Sequence, residues 1–224
     1  MSPPSDEHTR RAPRANRTTR VRKTPLSRRE EILEATVARI KAQGVHTLRL
    51  SDVADRLSVS PALVVYHFRT KEALIAEAFV WAAERDLARL RRLVRGLPTA
   101  LAQLRTALEW YAPAGEAKGW ALWIEGWAAA LREPVLREAG RELDLRWKDA
   151  LADIVRAGRA SGEFRTEDPT GAVWRITALL DGAAVQTLVH HRAPDRDGTT
   201  SWHHEIVARE LGLEAADLAP LPDE

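Results

Sequence analysis

Residues 44–79 read GVHTLRLSDVADRLSVSPALVVYHFRTKEALIAEAF, and this run predicts three helices in close succession. Ser51 is the expected N-cap of a short helix, because a serine hydroxyl accepts the free amides of a first turn. Ser60 is the expected cap of a second short helix, and Pro61 suits its first position, where no backbone N–H is needed. Thr70 then caps a longer helix. This spacing is typical of a helix-turn-helix.

The two short helices carry the residues that such a motif needs where the helices meet. Ala54 is small enough to let the helices cross closely. Val64 and Phe68 lie one turn apart and can anchor the second helix while its other side stays exposed. A plain helical hairpin would show similar spacing, so it remains the alternative on pattern alone.

The flanking sequence is also helical in period. Ser27 and Glu30 form an expected capping box that starts a helix, and Gly44 supplies its end. Further helices are predicted at about residues 98–111, 116–131, 134–160, 169–191 and 200–212. Because no strand-like alternation is found, we predict an all-α fold: a three-helix N-terminal domain with the helix-turn-helix, and a larger helical domain.

Composition excludes several classes of protein. The chain has 224 residues, of which 45% are hydrophobic and 29% charged, as in an ordinary globular protein. It has no cysteine, which excludes disulfides, thiolate metal sites and a cysteine nucleophile. No apolar run is long enough for a membrane span or a signal peptide, so we expect a cytoplasmic protein.

Charge is distributed unevenly. Residues 1–29 hold nine Lys and Arg against two acidic residues, and we expect residues 1–26 to be a disordered basic arm. Residues 214–224 carry four acidic residues and no basic one, and we expect a flexible acidic tail. The arm can bind a polyanion, either nucleic acid or an anionic membrane surface, or it can be merely solubilising.

The helix-turn-helix segment contains Ala54, a Val59–Ser60 turn, the triplet Tyr66-His67-Phe68 and the run Lys71-Glu72-Ala73-Leu74. Together these features resemble the DNA-binding domain of the TetR family of transcriptional repressors. The later chain resembles the effector domain of the BetI-like branch of that family. The residues that carry this second likeness are Trp127, Pro134, Gly162-Glu163-Phe164, Asp168-Pro169 and Leu180-Asp181-Gly182.

The resemblance implies a DNA-binding domain at residues 27–73 and an effector-binding and dimerisation domain at residues 74–213. It implies a regulator that is not an enzyme and needs no cofactor. A homodimer would bind a palindromic operator in double-stranded DNA, repress transcription and leave the DNA when a small-molecule effector binds. A ligand-dependent activator, or a regulator that requires a co-repressor, is the alternative.

The resemblance also implies which residues face DNA. Base-reading positions are occupied by Pro61, Ala62, Leu63 and Val65, and phosphate-binding positions by Tyr66, His67 and Lys71. All four reading positions are apolar here, whereas relatives often carry Lys, Gly, Thr and Tyr. We therefore expect contacts with thymine methyls from this helix, which Ser60 opens. Hydrogen-bonded readout would fall to Arg49 and Ser51, or to arginines of the arm in the minor groove.

Each phosphate-binding candidate also has a structural interpretation. Tyr66 fits a packed surface aromatic, His67 a capping histidine and Lys71 a solvated lysine. A lysine in the first turn opposes the helix dipole, however, unless a phosphate lies opposite it. That detail favours DNA contact.

Tryptophan is unusually common beyond residue 100. Seven of the eight tryptophans lie there, and Trp120, Trp123 and Trp127 form one stripe at helical spacing. Core packing is the commoner explanation of such a stripe. The alternative is an aromatic-walled pocket for a flat or cationic organic ligand, of unknown identity, to which Trp174 and Asp181 would also contribute.

The predicted helix at residues 169–191 is apolar nearly all round. One core cannot easily cover it, so we expect it to pack against the same helix of a second copy. The expected interface residues are Leu179, Gly182, Ala183 and Gln186. Asp181 needs a partner there, structural or ligand, because an unpaired buried carboxylate is costly.

Other functions have little support in the sequence. No hydrolase, phosphate-binding-loop or dinucleotide fingerprint is present, and the adjacent pairs His190-His191 and His203-His204 do not share a helical face, so we predict no metal site. A membrane-surface or scaffold protein rests only on the basic arm, and it would bind liposomes without preferring a palindrome.

Overall fold

The computed structural model describes residues 24–111, 119–191 and 196–219. Within these ranges every regular element is helical, which confirms the predicted all-α fold. The α-helices are α1 (Pro25–Gln43), α2 (Leu50–Leu57), α3 (Pro61–Phe68), α4 (Lys71–Val94), α5 (Ala100–Tyr111), α6 (Trp120–Ala130), α7 (Pro134–Ser161), α8 (Pro169–Leu188) and α9 (Arg196–Leu211), followed by a 3-10 helix, Ala215–Leu218. None of these described helices is long and apolar enough to cross a lipid bilayer.

The N-terminal helix starts earlier than predicted. Thr24 is the N-cap of α1 and accepts the Ser27 amide at 3.3 Å, with a proline in the first turn. The expected Ser27–Glu30 capping box is therefore wrong as a helix start, because proline already sets the helical φ angle two residues upstream. The last three residues of the predicted arm thus lie at or in α1, and residues 1–23 lie outside the described part of the chain.

The caps of the helix-turn-helix follow the prediction with one exception. Ser60 accepts the Leu63 amide at 3.3 Å and Thr70 accepts the Ala73 amide at 3.1 Å, as expected. Ser51 is not a cap, because α2 begins at Leu50 after Arg49. Leu50 packs against the neighbouring apolar core, and the helix starts two residues earlier than a Ser51 cap would place it.

Two apolar cores meet along α4. The first holds α1, α2, α3 and the first half of α4, and it takes in Leu122 and Ala129 of α6. The second holds the later half of α4 with α5, α7, α8 and α9. Helix α4 therefore runs through both cores, and α6 lies against the first.

The end of the chain is less free than predicted. Leu218 is 3% exposed in the second core, and the backbone oxygen of Asp217 accepts a hydrogen bond from Arg105. The expectation of a flexible tail from residue 214 is therefore wrong for residues 214–219, since one buried leucine holds this turn against α5. Residues 220–224 lie outside the described part of the chain.

Helix α8 buries one side and exposes the other. Ala172, Val173, Ile176, Leu180, Ala183 and Ala184 are buried within the chain itself. Trp174, Ala178, Gly182 and Gln186, four residues apart, lie on the exposed side. Leu179 is half-buried. The expectation that Ala183 faces a second copy is wrong, because this residue is 4% exposed within one protomer.

Candidate DNA interface and ligand cavity

Helix α3 separates an anchored side from an exposed side. Val64 is completely buried and Phe68 is 3% exposed, as their spacing predicted. On the opposite side Tyr66 is 80% exposed and Val65 is 43% exposed. The predicted reading residues Pro61 and Ala62 are also exposed, and Leu63 is half-buried. An exposed side of this size on a short helix can enter a DNA major groove.

The turn before α3 holds an unusual backbone conformation. Ser58 has φ +53°, in the left-handed region, and its amide donates to the Asp55 carbonyl at 3.0 Å. The next amide, of Val59, donates to the Ala54 carbonyl at 3.0 Å. These bonds close α2 and fix the direction in which α3 leaves.

Arg29 of α1 fastens the end of the recognition helix. Its guanidinium donates to the His67 carbonyl at 2.6 Å and pairs with Glu77 of α4. It also lies 4.3 Å from the centroid of the Phe68 ring. In the sequence, Arg29 counts only as one of the basic N-terminal residues, so its contacts with His67, Glu77 and Phe68 are not predicted. The one sequence signal for them is that Arg29 follows the predicted start of α1.

The predicted phosphate-binding residues lie close to this fastening. Burial lowers the pKa of His67, and the charges of Arg29 and Arg28 lower it further, which favours the neutral imidazole. Lys71 is in the first turn of α4, and its ammonium donates to the His46 carbonyl at 3.5 Å. Among the other predicted contacts, Arg49, Ser51 and Ser60 are exposed. The arginines of the arm that precede residue 24 lie outside the described residues.

A second candidate site is a partly open cavity with aromatic walls. Its rings come from α5, α6 and α7, and its two carboxylates come from α4 and α7. The lining residues are Trp110, Tyr111, Trp120, Trp123, Trp127, Trp147, Asp86, Asp144 and Gly119. The space between the walls, mouth included, is about 580 Å³. The three tryptophans of the predicted stripe thus line one cavity together.

The aromatic rings support one another. Tyr111 meets Trp120 edge-on with centroids 5.1 Å apart, and Trp120 meets Trp127 at 6.2 Å. The Trp120 indole donates to the Tyr111 carbonyl at 3.0 Å. The Trp147 indole nitrogen has no hydrogen-bond partner among the described residues, although it is buried. This cavity residue therefore has an N–H that no described group satisfies.

Two of the predicted ligand-binding residues are not among those that line the cavity. Trp174 is 48% exposed on the outer side of α8. Asp181 lies behind the wall, where it accepts a hydrogen bond from the Tyr111 hydroxyl at 3.0 Å. The sequence missed Asp86, Trp110 and Asp144, because only the packing of three separate helices brings them together.

One of the cavity carboxylates, Asp86, is partly buried. Burial raises the pKa of Asp86, and the charges of Lys41, Arg89 and Arg85 partly oppose the rise. Gly119 has φ +127°, and a Cβ atom there would lie 3.4 Å from the Asp86 carboxylate. Glycine thus lets this carboxylate approach the start of α6.

Behind the wall, a buried polar cluster continues from the cavity. Burial raises the pKa of Asp181 to about 6, while the Tyr111 hydrogen bond and the charge of Lys148 oppose that rise. Burial and Asp181 raise the pKa of Tyr111 well above its usual value, so this phenol stays a neutral donor. Lys148 donates to Asp144 and lies 4.3 Å from the Trp174 ring centroid.

Helix α6 connects the cavity to the helix-turn-helix region. Its Glu125 carboxylate accepts the Val45 amide at 2.9 Å, in the loop before α2. Gly126 lies against Phe79 of α4 so closely that a Cβ atom there would be 2.5 Å from the ring. The tryptophans on either side of these residues, Trp123 and Trp127, line the cavity.

Comparison with known proteins identifies the architecture. The family model described as bacterial regulatory proteins of the tetR family matches residues 32–78, and the model of the C-terminal domain of BetI-type transcriptional repressors matches residues 100–212. The chain belongs to the TetR family. It is a TetR-family DNA-binding transcriptional regulator with a C-terminal ligand-binding domain, which confirms the predicted family and fold.

Several relatives cover most of this TetR-family chain. The regulator BetI of Escherichia coli O45:K1 is 25% identical over 197 residues, which span 82% of this chain and 94% of that protein. A transcriptional regulator from Saccharomonospora viridis, solved in complex with choline, is 26% identical with a TM-score of 0.75 and covers 83% of this chain and 98% of its own. FadR from Bacillus subtilis, solved with stearoyl-CoA, is 18% identical with a TM-score of 0.65, over 81% of this chain and 97% of its own, and so shares the fold alone.

Proposed function

We propose that this TetR-family protein is a cytoplasmic homodimeric repressor that binds a palindromic operator and is released by a small organic cation. The observation that carries the proposal is the cavity in which tryptophan rings and two carboxylates line one space. Two of the helices that build it, α4 and α6, also contact the DNA-binding domain.

The chemistry of the cavity favours a cation. Aromatic faces attract ammonium groups, and tryptophan does so most strongly. Asp86 and Asp144 bring carboxylates from two different helices, α4 and α7, and Asp144 is paired with Lys148. A long acyl chain would gain nothing from these carboxylates and would have to desolvate them. The choline found in the relative from Saccharomonospora viridis belongs to the same chemical class.

The exposed side of α8 suits a twofold interface. A Cβ atom at Gly182 would have nothing within 4 Å, and Gln186 and Trp174 lie on the same side. Leu179 is half-buried at the edge of this side. Two copies that pack here would carry two reading helices, which requires a palindromic operator.

The residues of α3 that would face the bases are mostly apolar. Ala62, Leu63 and Val65 would touch base edges, chiefly thymine methyls. Arg49 and Ser51 would supply hydrogen bonds to bases, while Tyr66, His67 and Lys71 would hold phosphates. His67 would contact a phosphate through an imidazole N–H.

A ligand can alter operator binding because α6 contacts both sites. A cation between Trp123 and Trp127 would move the helix that carries Glu125, and so change the position of the loop before α2. The ligand releases DNA if it binds more tightly to the conformation in which the two α3 helices do not fit the operator. An activator or a co-repressor-dependent regulator would use the same contact with the opposite preference.

The decisive experiment starts with selection of duplexes from a random DNA library by the purified protein. We expect a palindromic motif and a dimer by light scattering. Choline and tetramethylammonium should then weaken operator binding, while 3,3-dimethyl-1-butanol, the uncharged isostere of choline, should not.

Other outcomes would point elsewhere. Stronger operator binding with choline would favour the co-repressor alternative. Binding to anionic liposomes without any preferred DNA motif would overturn the regulator and favour the membrane-surface or scaffold alternative.

A further inference from the structure

Lys148 is a buried cation directly behind the wall of the ligand cavity. Its side chain is only 10% exposed, and its ammonium pairs with Asp144 one helical turn earlier on α7. Buried ammonium groups persist only when they are paired. The partner here is itself a residue that lines the cavity. One of the two carboxylates offered to a ligand is therefore already neutralised by the protein.

Asp86, the other cavity carboxylate, differs from Asp144 in its charged neighbours. Asp86 has no ion pair within hydrogen-bond distance among the residues that the structure describes, and only the more distant charges of Lys41, Arg89 and Arg85 act on it. A cationic ligand therefore meets one carboxylate that has no ion pair with a described residue and one that carries a resident counter-ion. The second can contribute fully only if Lys148 moves away.

Lys148 also interacts with two residues of α8. Its ammonium lies 4.3 Å from the centroid of the Trp174 ring on α8, a cation–π contact. Its charge also acts on Asp181 of α8, which accepts a hydrogen bond from Tyr111 at 3.0 Å. The ammonium thus lies within electrostatic reach of two carboxylates and is hydrogen-bonded to one of them.

We propose that Lys148 is the specificity-determining residue of the cavity: it competes with a cationic ligand for Asp144 and shifts its pairing towards Asp181 when the ligand binds. The inference rests on the proposed cationic ligand. It means that the protein sets its own affinity for cations through an internal competitor, while uncharged molecules of the same shape do not sense Lys148.

The test measures ligand affinity in matched variants by tryptophan fluorescence and calorimetry. In Lys148→Met, Asp144 loses its counter-ion, so tetramethylammonium and choline should bind at least about tenfold more tightly than to the unmodified protein. Affinity for 3,3-dimethyl-1-butanol should change less than about twofold. Lys148→Arg keeps the charge and should bind the cations within about threefold of the unmodified protein.

Two further variants control for misfolding and for the loss of a positive charge elsewhere on α7. Lys148→Gln keeps an N–H donor for Asp144, so it tests the charge if the methionine variant does not fold. Arg146→Met removes a cation from the same helix, where Arg146 pairs with Glu84 and Glu142 at the surface. That control should leave both cation and isostere affinities within about twofold, because exposed charges are screened.

The outcomes separate this inference from the function it rests on. Cation binding to the unmodified protein with no gain in Lys148→Met or Lys148→Gln overturns the competitor role and leaves the cationic ligand standing. Binding that appears only in the variants supports the competitor role and shows that Lys148 closes the site to these cations. No cation binding in any variant overturns both.

Discussion

The Glu125 carboxylate accepts the backbone N–H of Val45 at 2.9 Å, which joins a wall of the aromatic cavity to the loop that precedes α2. Glu125 lies between Trp123 and Trp127 in sequence, and both of these line the cavity. The partner is a backbone amide, so the bond positions the main chain and does not depend on the side chain of residue 45.

Glu125→Ala is expected to uncouple the two sites. Ligand affinity and ligand-free operator affinity should each change less than about threefold, because Glu125 is outside both contact surfaces. The factor by which saturating choline weakens operator binding should fall at least about fivefold. Fluorescence anisotropy of a labelled operator, with and without choline, measures that factor. The exposed Glu133→Ala is the control, and full coupling in Glu125→Ala would contradict the role.

Arg29→Ala is expected to weaken operator binding although Arg29 is not a proposed DNA contact, because Arg29 holds the end of α3 in place. The variant loses the bond to the His67 carbonyl, the pair with Glu77 and the stack on Phe68, at a cost of about 1–3 kcal/mol in unfolding free energy. Urea unfolding and operator titration measure the two effects. Arg141→Ala, which loses an exposed helical pair with Glu138, is the control and should leave the unfolding free energy nearly unchanged. Equal losses in both variants would refute a specific role for Arg29.

Sequence patterns within a few residues predicted the anchors and caps of the helix-turn-helix, but they did not predict the carboxylates of the cavity. The anchors Val64 and Phe68 and the caps Ser60 and Thr70 depend on neighbours within a few residues, so their spacing predicted them. Asp86 and Asp144 are 58 positions apart in sequence and meet only through the packing of α4 on α7. No local pattern distinguishes such carboxylates from solvated ones.

The wrong predictions for α8 and for the end of the chain have the same cause, because they depend on contacts between residues far apart in the sequence. Trp174 and Ala183 both lie on α8, and the sequence could not show which side of an almost wholly apolar helix its own core would cover. Leu218 looked like part of a tail because it stands among acidic residues and prolines. Its burial against the second core depends on a contact with α5, far away in the chain.

Substitutions in α3 and at the start of α4 are expected to separate base reading from phosphate binding. Val65→Ser should change the preferred base pair at one operator position, at a cost of about 1–3 kcal/mol on the original operator and little on random DNA. Lys71→Ala should weaken operator and random DNA alike and lower the salt dependence of binding by about one ion. Titrations at several salt concentrations distinguish the two. Uniform weakening by Val65→Ser would remove this residue from the reading surface.

Gly126→Ala and Gly140→Ala are expected to change stability in opposite directions. A methyl group at residue 126 would meet the Phe79 ring at 2.5 Å, so the variant should lose about 1–3 kcal/mol of unfolding free energy as α6 is pushed off α4. Residue 140 has nothing within 4 Å, and alanine inside α7 should stabilise the chain by about 0.5–1 kcal/mol. Urea unfolding measures both. A neutral Gly126→Ala would mean that α6 can shift without cost.

Asp181 is expected to make the protein less stable as the pH rises from about 4 to 6. Burial raises the pKa of this carboxyl from 3.8 to about 6, so in this range the folded chain holds a proton that the unfolded chain has released. The contribution of Asp181 to the unfolding free energy should therefore fall by about 2 kcal/mol across this range and level off at about pH 7. Asp181→Asn cannot titrate, and the difference between the two proteins in urea unfolding at pH 4, 5, 6 and 7 isolates the effect. A difference that does not vary with pH would mean that Asp181 is ionised throughout, held by Lys148 and Tyr111.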